Sequence, residues 1–426
     1  MSEAQEGESD KMKSNVILET QEVDESDIEK LKGDTVGDTL YSGKWIVNIL
    51  LSISKVHEEG WNEKLEYDLC TLWDMTTEID IIKFLFDNDY FKIAEYVLNS
   101  SDEPRFIEII LGITGNMTCD PLILDALAEN EKFVELILRY LSFEDSATLV
   151  QVLRLLRSAL WSIQTNPESK WRDHLRNSTI LREIIPFILK SSTNEELLIT
   201  TTSFLRTAAD IDLPTGETLL NELFLSSQSS SFLSEMLESF QEVLPQDENH
   251  YSPSTLKYFE DWLEVFSNLP KDQLYLEILQ DDNLARTVEI PRRILTNFVD
   301  PCNIHPLDGT KASCIYRCAE MILDFRLSKL LTAVSTVDIN STILKIIDNI
   351  DTAMKEEEED PEEAMDELLK YLEGYWVKVS SISSTDEILN ILKTNEKVVI
   401  DHTISLLKSK IPEEKIDRIR AGLSNE

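Results

Sequence analysis

Residues 149–161 read LVQVLRLLRSALW, and their apolar side chains recur every three or four positions. That spacing is typical of an amphipathic α-helix, because it places the apolar side chains on one face. The same pattern is present in residues 106–117 and again in residues 198–205. The sequence therefore predicts three long helices of one kind.

A shorter apolar helix is predicted before each long one, at residues 91–98, 133–141 and 180–189. The pair of helices recurs about every 42–48 residues. This period is typical of armadillo and HEAT repeats, whose units stack because one helix pair alone cannot bury its apolar face. The 11 glycines and 13 prolines among 426 residues are also too few for the many tight turns of an all-β fold. We expect an all-α, armadillo/HEAT-like right-handed α-solenoid.

Shifts in composition divide the chain into five predicted parts. They are a disordered acidic tail at 1–37, armadillo-like repeats at 38–210, looser helical repeats at 211–354, an acidic linker at 355–363 and C-terminal capping helices at 364–426. Terminal units of repeat arrays are usually atypical, which agrees with the last of these parts.

The charge of the chain restricts its partners. It carries 80 acidic and 40 basic residues, for a formal net charge of -40. This charge opposes binding to nucleic-acid phosphates and to anionic membranes, and it favours basic segments of protein partners. The first 34 residues contain no apolar run typical of a secretion signal, and five cysteines, an odd number, fit a reducing compartment. We expect a cytoplasmic or nuclear protein that is not secreted, and its oligomeric state stays open.

The sequence contains no nucleotide-binding, hydrolase or metalloprotease motif. We therefore expect a protein that is not an enzyme and has no cofactor. One spacing resembles a metal site, because Cys302, His305, Cys314 and Cys318 supply four soft ligands within seventeen residues. In the competing interpretation, Cys314 and Cys318 belong to an apolar helix stripe and are small buried hydrophobes.

Residues 151–190 form a basic window in this acidic chain, with seven basic and three acidic residues. Arg154, Arg157 and Trp161 recur there at helical spacing, so they lie on one face. Such a face could hold an acidic or C-terminal peptide by bidentate pairing and stacking. Alternatively, Trp161 packs on the next repeat and the arginines pair with nearby acids. The candidate partner-binding residues are Arg154, Arg157, Trp161, Trp171, Arg172, Arg176 and, from an earlier long helix, Asn116.

Three blocks within residues 38–119 resemble the signature of the serum-amyloid-A-like (SAAL) family. The blocks are DTLYSGKW at 38–45, WDM at 73–75 and GITGNM at 112–117, with the signature residues Tyr41, Ser42, Trp45, Trp73, Asp74, Met75, Gly112 and Gly115. The resemblance implies an armadillo-like, intracellular and partly nuclear protein linked to cell proliferation, without catalytic residues.

The third block also has a physical interpretation. Gly112 and Gly115 would let neighbouring helices approach closely, at a cost of about 1 kcal/mol each relative to alanine. Asn116 lies where many armadillo repeats place an asparagine that clamps an extended peptide, but Gly112 replaces the accompanying tryptophan. The following repeats have Ala159 and Phe204 at equivalent positions. The sequence thus lacks an importin-like asparagine ladder, and we do not expect it to bind extended basic peptides as cargo.

These patterns together favour a non-enzymatic protein-interaction scaffold. Two alternatives stay open at this point: a dedicated chaperone or assembly factor for one client protein, and a zinc-dependent regulatory protein. The acidic run at 356–363 could also fold back and mask the basic window.

Overall fold

A computed structural model describes residues 34–225, 232–244, 250–280, 282–332, 334–356 and 363–424. Within these ranges the regular elements are helices, and the extended backbone is limited to two isolated antiparallel bridges, Thr35–Ser42 and Asp212–Thr218. The all-α prediction is therefore confirmed.

The described residues form 23 α-helices, with 3₁₀ turns at Tyr140–Ser142 and Val334–Thr336 and a π-helical turn at Asn221–Leu225. The α-helices, in chain order, are α1 Gly43–Ser54, α2 Val56–Glu59, α3 Glu63–Met75, α4 Ile79–Asp87, α5 Tyr90–Leu98, α6 Pro104–Met117, α7 Pro121–Ala128, α8 Glu131–Arg139, α9 Ser146–Thr165, α10 Lys170–Asn177, α11 Thr179–Ser191, α12 Glu195–Ala209, α13 Phe232–Val243, α14 Pro253–Ser267, α15 Lys271–Ile278, α16 Asn283–Asn297, α17 Pro301–Ile304, α18 Gly309–Leu327, α19 Val337–Glu356, α20 Glu363–Ile382, α21 Thr385–Leu392, α22 Lys397–Leu407 and α23 Glu413–Ser424.

Two ladders of helices run the length of the fold. In the long-helix ladder, α3, α6, α9, α12, α14, α18 and α20 each pack on the next. In the second ladder, α1, α5, α8, α11, α13, α16, α19 and α22 do the same. Short helices such as α4, α7, α10 and α15 complete the units. This order of contacts defines an α-solenoid, because each unit touches its neighbours in the chain and few others.

Polar side chains fix where the long helices begin. Asn62, Asp145, Asn194, Ser252 and Asp308 each accept a hydrogen bond from a backbone N–H in the first turn of the helix that follows. These are the residue types that satisfy the free N–H groups of a helix start. The sequence therefore determines the first residue of five of the seven helices in the long-helix ladder.

The ladder continues through the region that the sequence shows as looser. The starts of α3, α6, α9 and α12 lie 41–49 residues apart, whereas those of α12, α14, α18 and α20 lie 54–58 residues apart. One apolar cluster extends from Val36 to Ile419 and includes the fully buried Trp171, Trp262 and Trp376. The weaker periodicity after residue 210 thus reflects longer connections within the same solenoid.

The structure moves the predicted end of the acidic tail. Val36 is buried, and the Asp34 carbonyl oxygen accepts a hydrogen bond from the Gly43 N–H at 2.7 Å. The Asp34 carboxylate also accepts from the Lys44 N–H at 3.2 Å and from the Ser42 hydroxyl. Residues 34–37 therefore belong to the fold, whereas residues 1–33 lie outside the described part of the chain. Most of the predicted linker, residues 357–362, lies outside it too.

In the part of the chain that the structure describes, no single helix has the length and apolar character needed to cross a membrane.

Candidate protein-binding face

The candidate site lies on α9, between α6 and α12 in the long-helix ladder. Asp145 caps the start of this helix by accepting from the Thr148 N–H at 2.8 Å. Its leucine and valine side chains are buried against the neighbouring helices. None of its twenty residues is acidic, although the chain as a whole has twice as many acids as bases. The helix therefore provides a local region of positive charge.

Three side chains of α9 face solvent together, and we call Arg154, Arg157 and Trp161 the α9 face. At 100° per residue their side chains fall within an arc of about 60°, and the first and last lie about 10 Å apart along the axis. Arg154 and Arg157 are exposed, and Trp161 has 47% of its surface exposed. Trp161 is therefore only partly covered by the chain, which leaves its ring accessible to a partner.

Within the described ranges, the two arginines of the α9 face have no carboxylate partner. The Arg157 Nη1 donates to the Ser203 hydroxyl oxygen at 3.0 Å. Arg154 forms no hydrogen bond or ion pair with any residue that the structure describes. Unpaired guanidinium groups beside an accessible indole are the groups that bind carboxylates and stack on apolar or planar side chains.

Three other arginines of the long-helix ladder pair with carboxylates of the neighbouring helix in the ladder. Arg105 on α6 contacts Glu66 of α3 at 3.1 Å, and Arg206 on α12 lies 3.8 Å from Asp261 of α14. Arg317 on α18 pairs with Glu264 of α14. Sequence inspection missed these pairs, because each joins residues from different repeats. Among the residues that the structure describes, the arginines of α9 thus differ from those of its neighbours α6 and α12 in having no carboxylate partner.

Three other predicted site residues, Trp171, Arg172 and Arg176, lie on α10, and the first two are used within the fold. Trp171 is completely buried, and its Nε1 donates to the Leu124 carbonyl oxygen at 3.1 Å. Arg172 donates to both carboxylate oxygens of Glu222 at 3.0 and 2.8 Å, and this hydrogen bonding raises the pKa of Arg172. Arg176 pairs with Asp173 at 2.8 Å. Trp171 and Arg172 hold α10 against α7 and the turn at Asn221–Leu225, whereas Arg176 pairs within α10 and stays exposed, so its role in partner binding stays a prediction.

Asn116 is also used within the chain. Its amide nitrogen donates to the Thr76 hydroxyl oxygen at 2.9 Å and to the Trp73 carbonyl oxygen at 3.4 Å. The amide group that would clamp a peptide backbone instead joins α6 to the end of α3. The structure therefore removes Asn116 from the predicted partner-binding set.

The glycines of the third block differ in their surroundings. A Cβ atom built on Gly112 would lie 2.2 Å from Cζ2 of Trp73, so α6 approaches the indole ring of α3 closely only because Gly112 has no side chain. A Cβ atom built on Gly115 would lie 3.8 Å from Leu155, an ordinary contact. The prediction of close approach thus holds at Gly112 and is wrong at Gly115.

The first block closes the N-terminal end of the fold. The Ser42 hydroxyl oxygen accepts from the Trp45 N–H at 3.2 Å and so caps α1. Tyr41 and Trp45 are partly buried against the core. In the second block, Met75 is buried and Asp74 is exposed. The three blocks thus determine how α1, α3 and α6 are placed.

No protein-family model matches this chain. Curated relatives do match. Protein SAAL1 of Mus musculus is 32% identical over 181 residues, which cover 39% of this chain and 38% of that protein. Protein SAAL1 of Homo sapiens is 30% identical over 181 residues, with the same coverage, 39% and 38%. Protein saal1 of Danio rerio is 27% identical over 253 residues, which cover 56% of this chain and 52% of that protein. Over these residues the chain is similar to the SAAL proteins.

The matches span about two fifths to one half of the length of these SAAL relatives. Two solved structures are also similar in part. One is an engineered protein, 12% identical, covering 88% of this chain and 99% of its own, with a TM-score of 0.29. The other is a circular tandem repeat protein, 15% identical, covering 90% and 94%, with a TM-score of 0.27. At these TM-scores neither likeness supports a conclusion, and the solenoid assignment rests on the helix contacts.

The possible zinc ligands are not brought together. Cys314 and Cys318 are fully buried in α18, where burial raises the pKa of both thiols. Cys302 is exposed on α17, and His305 follows the end of that helix. Among the residues described, no group of three or more His, Cys, Asp and Glu side chains is placed to hold a metal ion. The structure places Cys314 and Cys318 as apolar core residues.

Proposed function

We propose that this SAAL-like chain is a non-enzymatic protein-interaction protein and that its α9 face holds an acidic segment of a partner protein. The observation that carries the proposal is the pair of exposed arginines without carboxylate partners, Arg154 and Arg157, beside the half-exposed Trp161. A role in cell proliferation is the one that the family resemblance implies.

The chemistry of the face selects a segment with two features. Each guanidinium group can donate two parallel hydrogen bonds to a carboxylate, which a lysine cannot do. The indole of Trp161, about 10 Å from Arg154 along the helix, offers a flat apolar surface. A segment that has one or two acidic residues next to an apolar or aromatic residue fits both features.

The remaining charge of the protein shapes this interaction. With a formal net charge of -40, the chain repels an acidic segment at long range and attracts basic parts of the same partner. Salt screens charges over a length of about 30 Å at 0.01 M and about 10 Å at 0.1 M, so it weakens long-range repulsion first. Ion pairs within about 4 Å are weakened much less. We therefore propose that recognition depends on contact with the α9 face and that acidic surfaces elsewhere steer basic regions of the partner.

Selection from a displayed library of random peptides tests the proposal. The full-length chain should enrich sequences that combine Asp or Glu with an apolar residue, because only those satisfy both the arginines and the indole. The double variant Arg154→Glu, Arg157→Glu should lose this enrichment.

A matched control has the same change in net charge elsewhere in the same repeat. Lys132 and Arg139 are exposed on α8 of the second ladder, so the variant Lys132→Glu, Arg139→Glu should keep the enrichment. Equal enrichment by all three chains, or loss in both variants, would contradict the proposal, because binding would then not depend on the α9 face.

A further inference from the structure

We propose that the α9 face is regulated by the chain itself, through binding of residues 16–27 in competition with the partner. This inference rests on the proposed function, since it assigns an internal competitor to the same face. It is argued from the chemistry of the segment, from its reach and from the comparison with the other acidic run.

The segment has the composition that the α9 face selects. Residues 16–27 read VILETQEVDESD, with three branched apolar residues followed by five acids and no basic residue. Glu19 and Glu22 supply carboxylates for the two arginines, and Val16–Leu18 supplies the apolar group for Trp161. The complementarity is therefore both electrostatic and apolar.

The connection to the fold is long enough. The chain enters the described structure at Asp34, which is fixed by hydrogen bonds to Gly43 and Lys44 at the start of α1. α1 packs on α3, and the face lies two further helices along the long-helix ladder, so at 8–10 Å per helix pair the path is about 24–30 Å. Twelve residues, from Glu22 to Asp34, extend up to about 40 Å.

The acidic run at 356–363 is a weaker competitor on geometric grounds. It is attached at both ends, to the end of α19 and the start of α20. α20 lies four helices along the ladder from α9, or about 32–40 Å at the same spacing. The six residues between the two helices extend about 20 Å. By this measure the connection at 356–363 is shorter than its path to the face, whereas the connection from residues 16–27 is longer than its path.

The experiment compares full-length chains that differ only in residues 1–33. The tail variant is Glu19→Gln, Glu22→Gln, Asp24→Asn, Glu25→Gln, Asp27→Asn. The control variant is Glu3→Gln, Glu6→Gln, Glu8→Gln, Asp10→Asn, Glu29→Gln, which removes the same number of charges from the same 33 residues. The probe is a fluorescent peptide with the sequence of residues 15–29, and its Kd is measured by anisotropy.

The expected change is about tenfold. A tethered competitor acts at an effective concentration of about 1 mM, so a segment with a Kd of about 0.1 mM weakens the binding of an added peptide by about tenfold. The tail variant should bind the probe about tenfold more tightly than the unchanged chain, and the control variant should match the unchanged chain. Adding Arg154→Glu and Arg157→Glu to the tail variant should remove the gain.

Each other outcome overturns a different statement. If the unchanged chain and the tail variant bind the probe equally, and the arginine reversal removes binding in both, the α9 face binds acidic segments and the internal competition is wrong. If none of the chains binds the probe, the proposed function itself fails for this class of segment. If the difference disappears when the protein is diluted, the contact is between two copies, which also overturns competition within one chain.

Discussion

Substitution of Gly112 by alanine tests whether the block GITGNM at 112–117 is a packing motif. A Cβ atom at this position would lie 2.2 Å from Cζ2 and 2.3 Å from Cε2 of Trp73, well inside van der Waals contact. Both helices are held nearby, since Asn116 of α6 donates to Thr76 and to the Trp73 carbonyl oxygen. The indole must therefore move, or α3 and α6 must separate.

The expected change in stability on Gly112→Ala follows from two opposing effects. Overpacking a buried contact costs about 1–3 kcal/mol, and a clash with a ring held by its own helix belongs at the upper end. Alanine returns about 1 kcal/mol of helix propensity relative to glycine. The net loss is about 2 kcal/mol, which corresponds to about 30-fold faster hydrogen exchange for amides that the α3–α6 contact protects.

Hydrogen exchange measured by mass spectrometry follows this effect peptide by peptide. Gly115→Ala is the matched control, because the added methyl would meet only Leu155 at 3.8 Å, and exchange should be unchanged or slower. Replacing Trp73 by leucine in the Gly112→Ala chain should reduce the penalty of the alanine, since the ring it strikes is gone. Exchange in α3 and α6 that is the same in Gly112→Ala, Gly115→Ala and the unchanged chain would refute the packing explanation.

Three further results are expected. Iodoacetamide should modify the exposed Cys302 quickly and the buried Cys318 only on unfolding, and equal rates would show that α18 is not packed as described. Burial raises the pKa of Cys318 well above 9.0, so above about pH 9 the folded chain keeps a thiol proton that the unfolded chain loses. The free energy of unfolding should therefore fall as the pH rises beyond that value. A Cys318→Ala chain with the same decrease would contradict this. Lys257→Met should lower the free energy of unfolding by about 1–2 kcal/mol, because it removes the cation that lies 2.9 Å from the Asp261 carboxylate. That carboxylate is almost fully buried, and burial raises its pKa. An unchanged free energy in denaturant unfolding would show that the pair contributes nothing.

Much of the fold could be predicted from local sequence. The 3.6-residue spacing in residues 149–161 marks a long amphipathic helix, and Asp145 and Asn194 are the residue types that begin such helices. These features act within a few residues, so a single sequence shows them. After residue 210 the connections lengthen, and the repeat was harder to see although the ladder continues.

The candidate site was less predictable, because burial depends on contacts distant in sequence. Trp161 and Trp171 both lie in the basic window, yet one is half exposed and the other fully buried. The buried Trp171 donates its Nε1–H to the Leu124 carbonyl oxygen, which is 47 positions away in the sequence. Arg172 is likewise removed from the surface set by Glu222, 50 positions away. No local pattern identifies these partners.

The most direct test of the central proposal is the Kd of a peptide selected by the full-length chain, compared across two charge-reversed variants. The account predicts that Arg154→Glu with Arg157→Glu weakens binding at least tenfold, whereas Lys132→Glu with Arg139→Glu changes it less than about twofold, with circular dichroism unchanged in both. Equal Kd values for the two variants would contradict the account, because the four-unit change in net charge would then explain everything and the α9 face would not be the binding site.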